Sequence, residues 1–529
     1  MSVQSGGTFQ TAGDFHLRAT GSLIIEGGTV KVGWMDLNGG TISFLLGSLD
    51  HRGDLVVGDY GMLGSNVDLT AGKALANDGA TWVEKDSRLT ISGGNLKTGE
   101  LRNQGEFVFN GGNLLWTDGW SRLENETGGS VVIGSGARLT VPGDVFNSGE
   151  ISLGGGTAIL DGGQTLFNSG VIRGDGRIGH VLQNELSGEV RVDFASRLLL
   201  TEQGNTNRGR INLSFGGTLE SPNGLVNEAD GVISGDGILR MGKMAAGAGL
   251  MNYGKMNFSG TTKVYGDVWT EGGDNTDIIV SGGATLTFYD DVYMYDTVLG
   301  SPKPEIRAGS GSRVVYFGLV KGNVYLTGAG THSVEGTLSP GFSPGYLETE
   351  ASSDLELASA GTFSFDLAGI LRMNDSVADT TGYHTAYDIL ETLTVLPGGT
   401  IDVNLVPISA PHASGPLFAP INGQQFALMT WAILSGDPST IGFNFDDAVL
   451  GKGLSWEAAW GPAIDGSLVL SVVPEPGVLA LLGLGAIGLA FKRRSQIATR
   501  RGLKTWHPLP IGYSPSVGCQ LLLLRPSCP

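Results

Sequence analysis

At 529 residues with 52 acids against 33 bases, the chain carries a formal charge of −19. A body this acidic lacks the basic footprint that phosphate-backbone binding requires, which excludes nucleic acid as a partner. Gly accounts for 87 residues without a Gly-X-Y period, which excludes collagen, and 40% apolar residues suffice for a sizeable core. The two cysteines, Cys519 and Cys528, lie near the C-terminus, so the body holds neither a disulfide framework nor a thiolate metal site.

The chain opens on Met1-Ser2-Val3-Gln4-Ser5-Gly6-Gly7, with neither a basic nor an apolar leader region. Gly7-Thr8-Phe9 already reads as the middle of a repeat, so the expected natural start lies elsewhere. Through residue 335 a loose unit recurs: apolar residues, Asn, Gly, alternating apolar residues, a Gly pair. Clear copies are Leu101-Arg102-Asn103-Gln104-Gly105, Val145-Phe146-Asn147-Ser148-Gly149 and Leu166-Phe167-Asn168-Ser169-Gly170. With Asn77, Asn125, Asn184, Asn207, Asn227 and Asn252, nine asparagines follow one another at spacings of 26, 22, 22, 21, 16, 23, 20 and 25. A period near 22 with alternation of two inside each unit predicts an all-β fold, a right-handed parallel β-helix of about 15 rungs. Asn and Gly are expected at its corners, where both tolerate left-handed backbone angles and Asn can pair with the adjacent rung.

From Gly336 the pattern changes. Residues 336–471 hold longer strand-like runs, including Gly361–Leu367, Ile389–Val395, Thr400–Val406, Gln425–Ala432 and Ser467–Val472. They read as a β-rich cap or terminal solenoid section covering an edge that would otherwise aggregate. Gly336-Thr337-Leu338-Ser339-Pro340-Gly341-Phe342-Ser343-Pro344-Gly345 resembles a motif found late in autotransporter-type β-helix passengers.

No catalytic residue is assigned. Gly341-Phe342-Ser343-Pro344-Gly345 has the form of a nucleophile elbow, but Pro344 has no N–H to offer an oxyanion. Gly174-Asp175-Gly176-Arg177-Ile178-Gly179 matches a dinucleotide fingerprint, yet a near-copy between Gly231 and Ile238 marks it as a recurrent turn. Arg52-Gly53-Asp54 and Arg173-Gly174-Asp175 receive no receptor role. The seven histidines are scattered, with no pair at ligand spacing, so no metal site and no cofactor are assigned. Weak surface calcium at Asp274 with Asp277, at Asp290-Asp291 or at Asp446-Asp447 is the one allowance. A glycan-cleaving β-helix would need carboxylates, alone or with Lys or Arg, on successive rungs of one face. Asp175 and Asp236 are 61 residues apart, nearly three rungs or roughly 14 Å, too wide for a glycosidase pair.

The chain then reads Val472-Val473-Pro474-Glu475-Pro476, an uncharged run from Gly477 to Phe491, and Lys492-Arg493-Arg494. The flanking prolines keep Glu475 on extended backbone. As a helix the run would cover roughly 22 Å, short of a bilayer core of about 30 Å, and the cations favour a cytoplasmic end. Residues 472–494 closely resemble the PEP-CTERM sorting signal of exopolysaccharide-producing Gram-negative bacteria. The resemblance implies export, recognition of Pro474, Glu475 and Pro476 by an exosortase, a transient inner-membrane anchor at 477–491, and a stop at Lys492, Arg493 and Arg494. Residues 495–529 depart from that pattern and read as an extension or a frame artefact. The expected whole is a surface-sorted, non-enzymatic solenoid, structural or adhesive in an exopolysaccharide or biofilm matrix, with a surface glycan as partner. The alternative is a secreted β-helix polysaccharide lyase or glycoside hydrolase.

Overall fold

The computed structural model describes residues 1–272, 277–295, 304–323, 325–340, 346–350, 352–369, 371–372, 383–384, 386–388, 392–407 and 417–475. Within them each repeat lays down three short strands, and each strand pairs in parallel with its counterpart one coil later. On one face Leu101–Asn103 pairs with Leu123–Asn125, then Val145–Asn147, then Leu166–Asn168. A second face runs Glu106–Phe109, Ser130–Ile133, Glu150–Leu153, Val171–Gly174. A third carries Arg138–Thr140, Ile159–Asp161 and Arg177–Gly179. The result is an all-β parallel solenoid of right-handed type with about 16 turns. The expected C-terminal hydrophobic helix falls at 477–491, outside the described residues.

The alternation inside each unit explains why the chain coils. In Leu101-Arg102-Asn103 the first and third side chains are buried and the second is half-exposed. Inward positions stack along the axis: Leu139, Leu160, Ile178 and Leu200 follow one another in register on the third face, all fully buried. Each such side chain contributes about 2 kcal/mol through burial, but only because neighbouring coils cover it. Gly174 and Gly235 share φ 105°, so the two Gly-Asp-Gly turns are one device repeated. A Cβ on Gly235 would sit 1.8 Å from the carbonyl of Leu213, which only Gly avoids.

The asparagines correct one expectation. None adopts a left-handed backbone; the non-Gly residues that do so, among those described, are Asp86, Ala195, Phe215 and Asp465. Instead, eight asparagines end the strands of the first face with their side chains inside. Asn103 Nδ2 donates to Asn125 Oδ1 at 2.7 Å, and the same bond repeats through Asn147, Asn168, Asn184, Asn207, Asn227 and Asn252 at 2.6–2.7 Å. Several second amide protons reach a strand-start carbonyl, as Asn125 Nδ2 does to Glu150 O at 3.0 Å. Asn252 closes the row on Thr270 Oγ1 at 3.0 Å. At the other end Asn103 Oδ1 has no partner, because its register neighbour is Val83. The ninth, Asn77, lies elsewhere: it pairs in register with His51 and bonds Thr98 on the third face.

Parallel pairing continues through Gly336, from Leu319–Lys321 to Thr337–Ser339 and on to Thr362–Phe363. It reaches Thr400–Asp402 against Gly442–Asn444. Gln425–Ser435 then pairs antiparallel with Ile464–Pro474. Aromatic rings gather here: Trp431 against Trp460 at 5.7 Å, Phe426 against Trp456 at 5.8 Å, and Phe445 stacked on Trp456 at 5.8 Å.

Candidate functional site

Of the sorting residues, Pro474 ends the last described strand and Glu475 is exposed. Pro476, Lys492, Arg493 and Arg494 lie outside the described residues. So do Asp274, Ser343 and the apolar run. Among the described residues no helix is long and apolar enough to cross a membrane, and no cluster of three His, Cys, Asp or Glu side chains could hold a metal. Asp290 binds Lys243 and the amide of Gly266, and Asp291 accepts from Leu319 N at 2.9 Å, so both are tied into the scaffold. Asp54 likewise accepts from Ala80 N at 2.8 Å. After Arg177 the chain continues as strand to Asn184 with no helix following.

One ionic cluster was not anticipated. Glu100-Leu101-Arg102-Asn103 and Arg122-Leu123-Glu124-Asn125 are one repeat apart with their charges exchanged, and Arg102 lies in register with Glu124. Four ion pairs close a ring on the outer surface of the asparagine face. Arg122 reaches Glu100 at 2.5 Å and Glu124 at 2.7 Å, while Arg102 reaches them at 3.1 and 3.4 Å. The Arg102 guanidinium also lies over Trp82 at 4.6 Å. Burial pushes Glu100 up, but hydrogen bonds from Arg122 and Arg102 outweigh it and hold its pKa low. Burial and then the Glu100 charge raise Glu124. The exchanged Glu-Leu-Arg and Arg-Leu-Glu order was readable in the sequence, once the repeats were set in register.

The ring makes a sharp expectation. The neutral exchange R122E/E124R leaves composition unchanged but sets like charges opposite each other across the coils. It should lower stability by about 1–2 kcal/mol. Adding E100R/R102E should recover most of that loss, less the stacking of Arg102 on Trp82. Chemical denaturation of the three proteins checks this; equal stability of the first variant and wild type would refute it.

A second feature lies at the turn between the second and third faces. Val171, Glu189 and Arg210 are register partners on successive coils, and Val232 follows on the next. That register places Asp175 and Asp236 three coils apart. Between them the same turn presents Phe194 and then Phe215, 75% and 76% exposed. Phe215 has φ 51° and Ala195 φ 58°, left-handed angles costing an L-residue on the order of 1–2 kcal/mol. Carboxylates brace this turn: Asp236 Oδ1 accepts from Phe215 N at 2.9 Å, and Asp175 Oδ1 from Arg197 N at 3.2 Å. A lone Phe in a polar turn gave no sequence signal, because exposure depends on which strand phase it occupies.

Fold and terminus together define a β-solenoid bearing a C-terminal sorting signal. Residues 472–494 match the PEP-CTERM protein-sorting motif. That motif implies export, processing by an exosortase and a surface location. No curated protein matches the chain.

Proposed function

We propose that the chain is a non-enzymatic structural or adhesive component of the exopolysaccharide matrix of a Gram-negative bacterium. Residues 477–491 hold it at the inner membrane until the exosortase acts, and Lys492, Arg493 and Arg494 stop its transfer. The observation that carries this reading is the pairing of a surface-sorting motif with a solenoid that presents outward side chains on coil after coil. Repetition turns weak contacts with a surface glycan into firm attachment by multivalency. Weak surface calcium is compatible with it and not needed by it.

Mapping both termini of the protein recovered from its host tests the sorting half. The mature chain should end near Pro474–Pro476. Replacing Pro474, Glu475 and Pro476 together by Ala should leave the tail attached and the protein membrane-bound. Peptides running to Pro529 in a soluble extract of wild type would overturn the proposal.

One observation favours the alternative, a glycan-cleaving enzyme: Glu100 and Glu124 form a carboxylate pair with two arginines on successive coils of one face, with pKa values pushed apart. Against it, every head group in the ring is engaged by another. Release of reducing ends from glycans, abolished in E100Q or E124Q, would establish the enzymatic reading in place of the structural one.

A further inference from the structure

We propose that the turn carrying Phe194 and Phe215 is a docking site for a neutral polysaccharide chain; this rests on the glycan reading above and assigns it a place. The case begins with what the rings do not do. Phe146 and Phe167 stack on each other at 5.1 Å, as Tyr265 and Tyr289 do at 4.4 Å, so their facing surfaces are occupied. Phe194 and Phe215 stand three-quarters exposed on adjoining coils. Val192 and Leu213 are register partners just before them, so the two turns are about 4.8 Å apart at the backbone.

The backbone gives the second argument. Phe215 is the one aromatic residue among the described residues with a left-handed backbone, and Gly216 beside it is also left-handed, φ 82°. A Gly would occupy position 215 without strain, and a polar side chain would leave no apolar surface in water. The chain instead holds a bulky ring outward, with the Asp236 carboxylate of the next coil gripping its amide. Backbone strain that presents a side chain to solvent points to a ligand for that side chain.

Size and charge select the ligand. A Phe side chain buries roughly 150–250 Å² when covered, so the exposed parts of two offer on the order of 300 Å², against about 800 Å² per partner in a stable protein interface. That area suits sugar rings, whose C–H faces meet the electron-rich face of an aromatic ring. Asp175 and Asp236 frame the patch and exposed Asp193 lies beside Phe194, so acceptors for sugar hydroxyls surround the rings. The same carboxylates, on a chain of charge −19, repel an anionic polymer.

Native gel electrophoresis of the full chain in mild non-ionic detergent, through gels containing hydroxyethyl cellulose, a galactomannan or a polyuronate, tests this. Wild type should be retarded by at least one neutral polymer and not by the polyuronate. F194A/F215A should weaken retardation roughly tenfold with an unchanged melting temperature, since both rings are exposed. F194Y/F215Y keeps the rings and should bind within about threefold of wild type. Equal retardation of wild type and F194A/F215A would overturn this site while leaving glycan binding intact. Loss of binding in the Tyr variant, or retardation by the polyuronate alone, would also overturn it. A wild type that no neutral polymer retards would overturn both this site and the glycan half of the proposed function.

Discussion

Asn147→Asp should cost about 3 kcal/mol of local stability at pH 7 and much less below pH 4. Asn147 is 1% exposed. Its Oδ1 accepts from Asn125 at 2.7 Å, and its Nδ2 donates to Asn168 Oδ1 at 2.6 Å and to Val171 O at 3.2 Å. A carboxylate keeps the first bond, loses both donations, and sets two oxygens against each other in a site water does not reach. Orphaned buried acceptors cost about 1–3 kcal/mol each, and the buried charge adds to that. Protonation returns one O–H donor for Asn168, so the folded-state pKa of the new Asp lies above its unfolded value of about 3.9. The folded state then holds a proton the unfolded chain has released, and the penalty grows as pH rises from 4 to 7. Because coils communicate mainly with their neighbours, hydrogen exchange of amides in Leu123–Asn125 and Leu166–Asn168 is the measurement. A wild-type-to-variant gap that is small, or flat between pH 3 and 7, would refute the ladder's energetic role.

The solenoid was legible because its physics is repetitive. A spacing near 22 and an internal alternation of two leave few other ways to bury Leu101, Leu123, Val145 and Leu166 together. The strand runs expected at Thr400–Val406 and Gln425–Ala432 appear at Thr400–Leu405 and Gln425–Ser435. The role of the asparagines was half legible. Their pairing with the adjacent rung was expected, but Asn shares strand phase with the buried residue two positions earlier and therefore points inward rather than shaping a corner. Asn77 imitates the motif in Leu75-Ala76-Asn77-Asp78-Gly79 yet lies on another face, and only its long spacing of 26 to Asn103 betrays it. The charge ring of Glu100, Arg102, Arg122 and Glu124 depends on register, which no single repeat reveals. The exposed rings of Phe194 and Phe215 depend on turn geometry, and there the left-handed angles fall on Ala195 and Phe215, residues whose identity does not announce them.

Acidification from pH 7 to pH 4 should remove about 3 kcal/mol of stability through His332 alone. The third-face stack of buried Val and Leu is interrupted at this residue, with Val314 before it and Leu355 after it in register. His332 is fully buried. Its Nε2 lies 3.3 Å from Thr327 O and its Nδ1 3.0 Å from the Tyr316 hydroxyl. A carbonyl can only accept, so Nε2 carries the proton and Nδ1 accepts from Tyr316; the neutral ring satisfies both neighbours. Charging it would place a cation among apolar side chains and turn Nδ1 into a donor facing a hydroxyl proton. Burial thus holds its pKa down, to about 4 from 6.5, with the Thr327 carbonyl only partly offsetting it. Below pH 6.5 the unfolded chain takes up a proton that the folded chain refuses. The stabilisation is complete above the unfolded value and lost as pH falls toward the folded one, at about 1.4 kcal/mol per unit. Burial lowers His180 and His51 in the same direction. The comparison that isolates His332 is therefore with H332Q, whose amide can donate to Thr327 O and accept from Tyr316 without titrating. Denaturation midpoints of wild type should fall more steeply between pH 6.5 and 4 than those of H332Q. Parallel curves would mean that the ring charges without unfolding its coil, which would demand a route for water to a residue placed at the centre of the stack.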